Sequence, residues 1–269
     1  MTAPKTSSER KWPYRGVNRP SSRPRSFLAA VFLAVAAIGA VAHAETVRKG
    51  HLQVAFSSAF APRALPRQGA APISVSIGGR ISTTDGKAPP QLRRIELAIN
   101  RRGQLRTTGV PTCRLEQIQP STNRGALEAC RRSLVGEGAF TANVELPQQA
   151  PFPSRGKVLA FVGREGGRPV LLAHVYGTDP VPTSYTLPFR IGHSRGTYGT
   201  VLTASLPQVT SDWGFVTGIE LKLDPNFVSA GCPAAAGFPG AVFPLLHASF
   251  VFAGLTLSST LERSCRARD

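Results

Sequence analysis

The stretch LPFRIGHSRGTYGT, residues 187–200, contains Gly192-His193-Ser194-Arg195-Gly196, a G-x-S-x-G pentapeptide. That pattern marks the nucleophile elbow of α/β-hydrolases. There a strand feeds a sharp turn and a helix leaves it, so that the helix N-terminus and backbone N–H groups stabilise an oxyanion. The entering side fits, because SYTLPFRI reads as a strand, although Pro188 argues against a central one. The leaving side does not. Gly196, Thr197, Gly199, Thr200 and Val201 are poor helix formers, and Tyr198, Thr200 and Val201 favour a strand. The pentapeptide therefore reads as a turn between two strands with Arg195 in solvent, and the chain as all-β. The hydrolase alternative keeps one point in its favour. Asp212, Asp224 and His247 follow Ser194 in the order serine, acid, histidine, and triads recur on unrelated folds. His247, within FPLLHASFVF, reads instead as a buried, hydrogen-bonded strand histidine.

Outward from this stretch the apolar pattern stays β. Strands are expected at His51–Ser58, Ile73–Ser82, Tyr185–Ile191, Tyr198–Leu206, Phe215–Leu223, Val242–Phe252 and Leu255–Leu261. In RRIELAIN, Ile95, Leu97 and Ile99 alternate with Arg94, Glu96 and Ala98, the period of two of a strand with one wet face. KVLAFVG and PVLLAHVYG flank the turn Arg164-Glu165-Gly166-Gly167-Arg168 and are nearly all apolar, which predicts a buried central hairpin. The exception is STNRGALEACRRSLVGEG. Ser121, Thr122 or Asn123 can cap a helix, Leu127, Cys130 and Leu134 share one face, and Gly136 sits where a C-terminal glycine belongs. The expected architecture is an antiparallel two-sheet sandwich-like domain with one short helix and two disulfides. The alternative is two small β domains, with a boundary near 177–183 where Gly177-Thr178-Asp179-Pro180-Val181-Pro182-Thr183 interrupts the pattern.

The N-terminus reads as an address. Residues 1–26 carry seven basic side chains and one acid, Phe27–Ala42 is a 16-residue uncharged run, and Ala42-His43-Ala44 follows. These are the three parts of a secretory signal peptide, with cleavage expected after Ala44, and the apolar run is shorter than the roughly 20 residues of a spanning helix. An uncleaved N-terminal anchor is the alternative. Domain residues 45–269 are then extracytoplasmic, in the extracellular medium or the cell envelope. The four cysteines, Cys113, Cys130, Cys232 and Cys265, fit that oxidising compartment. Three pairings are open. The sequential one is preferred because it closes the short loops, with 16 and 32 intervening residues. No C-x-x-C pair occurs and no histidine stands at ligand spacing from a cysteine, so no metal is expected. No cofactor motif appears either.

Charge is uneven. The chain carries +17 overall, with 21 basic and 9 acidic residues in 45–200 but 4 basic and 5 acidic in 201–269. The basic half suits an anionic envelope polymer or another envelope protein as partner, although an arginine-rich composition alone also produces it. No nucleic-acid-binding module is recognisable, and a membrane partner is expected only if the N-terminal segment stays uncleaved. The densest basic run holds Arg93, Arg94, Arg101, Arg102, Arg106, Arg114, Arg124, Arg131 and Arg132. Arg93, Arg94, Arg101, Arg102, Arg106, Arg131 and Arg132 are the candidate binding residues, because guanidinium forks onto phosphate and carboxylate with two hydrogen bonds. No catalytic residue is assigned. His174 in LLAHVYG reads as core, and Trp213, Phe215, Tyr185 and Tyr198 read as core rather than a sugar-stacking platform.

The segments AFVGREGGRPVLLAHVYGTDPVPTSYTLPF, GTYGTVLTASLP and SAGCPAAAGFPGAVFPLLHASFVFAGLTLSSTLERSCRARD resemble a group of exported actinobacterial proteins. The resemblance covers most of 45–269 and implies a disulfide between Cys232 and Cys265 and a high-GC Gram-positive envelope. It implies no activity. The expected function is therefore a non-catalytic binding or structural one, with a secreted serine hydrolase using Ser194 as the alternative. An anchored accessory domain of an envelope complex is the third reading.

Overall fold

The computed structural model describes residues 43–145, 148–179, 182–206 and 214–268. The expected leader lies outside the described residues up to position 42, as do Asp212 and Trp213. Residues 40–269 form one compact unit.

The first half of the chain supplies β1 (His43–Lys49), β2 (Leu52–Ala61), the short β3 (Ala64–Pro66) and β4 (Ala71–Pro72), then β5 (Ser74–Thr83), β6 (Leu92–Asn100) and β7 (Gly103–Leu105). Two helices follow, α1 (Leu115–Ile118) and α2 (Asn123–Cys130), and a 3-10 turn at Arg131–Ser133 leads into β8 (Leu134–Val144). The elements that follow among the described residues are strands: β9 (Phe152–Glu165), β10 (Arg168–Gly177), β11 (Thr183–His193), β12 (Tyr198–Ser205), β13 (Gly214–Leu223), β14 (Val228–Ala230), β15 (Gly240–Phe252) and β16 (Leu255–Arg268). Among the described residues thirteen strands make one sheet in the order β1-β2-β5-β13-β8-β9-β10-β11-β12-β6-β15-β16-β3, and β4-β14-β7 make a second. Every pairing in them is antiparallel except that of β16 with β3.

The period of two sets which face is buried. Along β2, Leu52, Val54, Phe56 and Phe60 point inward, and along β15, Leu246, Ala248, Phe250 and Phe252 do. These strands are far apart in the sheet order, yet the rings of Phe56 and Phe250 meet edge to face at 5.0 Å. The long sheet therefore rolls over on itself, and its two inner faces close a sandwich-like core shared by both halves of the chain. The roll carries β16 to β1, where the buried guanidinium of Arg263 meets the Glu45 carboxylate at 2.7 Å. Its Nε also donates to the Ser58 carbonyl at 2.8 Å.

The central hairpin β9–β10 is buried on both sides, as its unbroken apolar runs predict. Its outer face carries a second small core, in which Leu159, Phe161, Val170 and Leu172 pack under Ile118, Ala126 and the Cys113–Cys130 disulfide. The second disulfide is Cys232–Cys265, so the sequential pairing is the observed one. Thr122 caps α2 by accepting the Gly125 N–H at 3.1 Å. Two details of the helical region differ from expectation. A one-turn helix, α1, precedes the expected one, because Arg114 and Gln117 satisfy each other's termini. The helix also ends earlier, and Gly136 is a strand residue of β8. There the Lys222 carbonyl of β13 lies where a Cβ would stand, so the glycine permits close strand approach rather than a C-cap. The stretch 177–183 joins β10 and β11, which pair directly from Val170↔Arg190 to Gly177↔Thr183. The two strands on either side of it are neighbours in the long sheet.

Candidate anion-binding surface

Ser194 lies in the hairpin turn between β11 and β12, where His193 pairs with Thr200. Its N–H donates to the Gly199 carbonyl at 3.1 Å, its Oγ donates to the Arg195 carbonyl at 3.4 Å, and Gly196 supplies φ +100°. A strand leaves this turn, so no helix N-terminus faces Ser194. Asp224 follows β13, which β8, β9 and β10 separate from β11. His247 is half-exposed on the outer face, not buried, because β15 presents it beside Thr260 of β16. Its Nδ1 is 2.9 Å from the Thr260 Oγ1, so a threonine and not an acid orients the ring. Tyr198 lies 5.9 Å from His247, ring to ring. Tyr185 and Phe215 sit on β11 and β13, so these aromatic residues form no shared platform.

The seven candidate arginines fall in four places. Arg93 and Arg94 stand near one end of β6, with Arg94 paired to Glu96 at 2.9 Å. Arg101 and Arg102 follow its other end, about 23 Å away at strand rise. Arg106 comes just after β7. Arg131 and Arg132 form the 3-10 turn after α2, in the helical layer over β9 and β10, and Arg114 and Arg124 are exposed in that same layer.

The group at Arg101 and Arg102 is the one that grows in three dimensions. The Arg101 N–H donates to Thr197, which brings in the turn that carries Arg195. The Arg102 guanidinium reaches the Arg67 carbonyl at 3.4 Å, and the Arg102 carbonyl accepts the Gly231 N–H. Arg67 in turn donates its N–H to the Arg268 carbonyl, and Arg266 donates to the Arg63 carbonyl at 2.8 Å. The parallel pairing of Ala64–Pro66 with Arg266–Arg268 makes these last contacts. One face thus gathers Arg63, Arg67, Arg101, Arg102, Arg195, Arg266 and Arg268. Among the described residues of its segments (61–70, 100–106, 193–200, 231–244 and 262–268) the acid is Glu262.

The loop in the middle of this face is apolar and tightly held. Its two ends are tied by Cys232 N–H to the Pro66 carbonyl and by Ala267 N–H to the Pro239 carbonyl, beside the Cys232–Cys265 disulfide. Between them the Phe238 N–H closes a turn onto Ala235, with Gly237 at φ +84° in the third position, as a type II turn requires. The Arg67 guanidinium forks under this turn, donating to the carbonyls of Ala235 and Phe238 at 2.6 Å each. Residues 235–239 are all exposed, Phe238 at 64% and, nearby at the start of β15, Val242 at 68%.

Comparison with protein-family models, with curated proteins and with solved structures finds no match. Among the described residues no helix is long and apolar enough to cross a membrane.

Sequence reading missed Arg63, Arg67, Arg266 and Arg268 as partners of Arg101 and Arg102. Residues 201–269 carry a net charge near zero, so their three arginines drew no notice. The arginines at 63 and 67 are some 200 residues away from those at 266 and 268, and only the β3–β16 pairing unites them.

Proposed function

We propose that the chain is a non-catalytic binding or structural protein of the extracytoplasmic space, secreted or envelope-associated, which holds an anionic polymer through its arginine face. The single observation behind this reading is that four separate segments bearing seven arginines meet through the contacts above, and that the described residues of those segments include one acid, Glu262. Arginines brought together on a rigid backbone suit repeated phosphate or carboxylate groups, because a guanidinium forks onto two oxygens. The two disulfides agree with an oxidising compartment. The exported actinobacterial resemblance supports an envelope setting. The hydrolase reading is not carried forward, since the Ser194 turn lacks the helix that an elbow needs.

The test is retention of the oxidised protein on polyphosphate and on an acidic polysaccharide across a salt titration. Binding is expected to weaken steeply as salt rises, since exposed charge contacts are screened beyond about 10 Å at 0.1 M. It is expected to fall again in the Arg101→Ala, Arg102→Ala double variant. Binding indifferent to both changes would remove the arginine face from the function.

A further inference from the structure

We propose that this face docks on an anionic lipid surface, with Phe238 as an apolar wedge seated among phosphate-binding arginines. The inference rests on the reading of the face as anion-binding and names the surface it meets. It starts from a mismatch between charge and apolarity. From Pro225 to Leu261 the chain carries no Asp, Glu, Lys or Arg, and within that run residues 235–239, Ala-Ala-Gly-Phe-Pro, stand in solvent. Phe238 and Val242 are the large apolar side chains most exposed among the described residues. Both lie on the arginine face. Val242 pairs with Ser264, whose hydroxyl accepts from the Arg63 guanidinium at 3.0 Å. Phe238 precedes Pro239, whose carbonyl is bound by Ala267, between Arg266 and Arg268.

A soluble polyanion would engage the arginines and leave the Phe238 ring in water. A lipid surface satisfies both, because headgroup phosphates meet the guanidinium groups while the ring enters the boundary between headgroups and acyl chains. The loop is also built to hold its shape against such a surface. The Arg67 fork, the Gly237 turn, two backbone hydrogen bonds at its ends and the Cys232–Cys265 bridge fix it before any contact. A preorganised wedge loses little conformational entropy on insertion. Arg67 is committed to holding the loop, so Arg63, Arg266, Arg268 and Arg102 are the residues assigned to headgroup contact.

The experiment is co-sedimentation of the full oxidised chain with phosphatidylcholine vesicles containing 30% phosphatidylglycerol, beside pure phosphatidylcholine vesicles and a polyphosphate column. Wild type is expected to bind the mixed vesicles and not the neutral ones. Phe238→Ser is expected to weaken vesicle binding by about tenfold or more, the worth of one buried aromatic side chain, and to leave polyphosphate retention and thermal unfolding unchanged. Arg266→Ala with Arg268→Ala should weaken both kinds of binding. Vesicle binding that Phe238→Ser leaves intact, or equal binding to neutral vesicles, would overturn the wedge. Polyphosphate retention without vesicle binding would overturn lipid docking and leave the polymer reading standing. Loss of both in wild type would sink the two readings together.

Discussion

Arg263 is the buried cation of the seam, and its surroundings show what its removal would cost. Its side chain is 3% exposed and meets Glu45, itself 32% exposed, through two nitrogens, while its Nε holds the Ser58 carbonyl. Breaking one side of a buried pair leaves an uncompensated charge and typically costs about 3–5 kcal/mol, less where one partner is wetted. Glu45→Ala is therefore expected to destabilise the fold by about 2–3 kcal/mol, read as a lowered urea midpoint. Arg263→Met together with Glu45→Leu should restore much of it, since removing both charges also removes the desolvation penalty. The alternation of Leu261, Arg263 and Cys265 with Glu262, Ser264 and Arg266 already puts Arg263 on the inward face of its strand, but nothing local shows its partner, Glu45, which lies 218 residues away.

His174 is the second residue with a consequence. It is fully buried beneath α1 and α2, its Nδ1 lies 3.2 Å from the Thr186 hydroxyl, and its Nε2 has no hydrogen-bond partner among the described residues. Burial pushes its pKa below the ordinary value of 6.5, against a smaller opposing pull from the Ser121 backbone. The unfolded chain then binds a proton that the folded one refuses. The contribution is complete above the ordinary value and is lost progressively as pH falls below it toward the folded pKa. Urea midpoints measured from pH 7.5 down to 5 are expected to decline in wild type. In His174→Gln the decline should be shallower by one proton's worth of slope. An identical slope in both would assign the acid sensitivity to other groups.

At the level of elements, the helical layer depends on the Cys113–Cys130 bridge. The layer is small, and the disulfide ties the loop before α1 to the last turn of α2 across a separation of 17 residues. In the chain-entropy account a loop of this size stabilises by about 3 kcal/mol. Cys113→Ser with Cys130→Ser is expected to lose about that much and to raise amide exchange in α1, α2 and the outer face of β9–β10 before the rest of the sheet. Uniform exchange across the molecule would mean that the layer and the sheet unfold as one. The helix itself was readable because a cap, a one-sided apolar stripe and a cysteine coincide within 18 residues, 121–138. Its end was not. Gly136 has the spacing of a helix stop, and only the strand of β13 beside it shows that the glycine serves close packing.

At the level of the whole molecule, the strands were legible and their closure was not. Alternation and unbroken apolar runs are local properties, so the long strands other than β1 and β8 stand where the sequence places them. The sheet order is decided by contacts between distant segments. β6 lies between β12 and β15, and β13 between β5 and β8, and no local pattern encodes either insertion. The same limit applied to the candidate site. Its arginines were visible as a run from 93 to 132, yet the fold divides that run among both ends of β6 and the helical layer. It then completes one portion with residues from three remote segments.

The parallel strand pair of β3 and β16 has a bearing on how the molecule is made. A polypeptide emerges N-terminus first, so β3 waits with its edge unoccupied while nearly 200 residues are synthesised. When β16 arrives, its residues 261–268 complete four closures at once: the Glu45 pair through Arg263, the bridge to Cys232, the pairing with β3, and the last members of the arginine face. A nascent chain stalled before this strand holds most of the sheet and none of these. Residues separated by nearly 200 positions thus set one edge of the sheet together, and the arginine cluster beside it takes its final form only when 261–268 are in place.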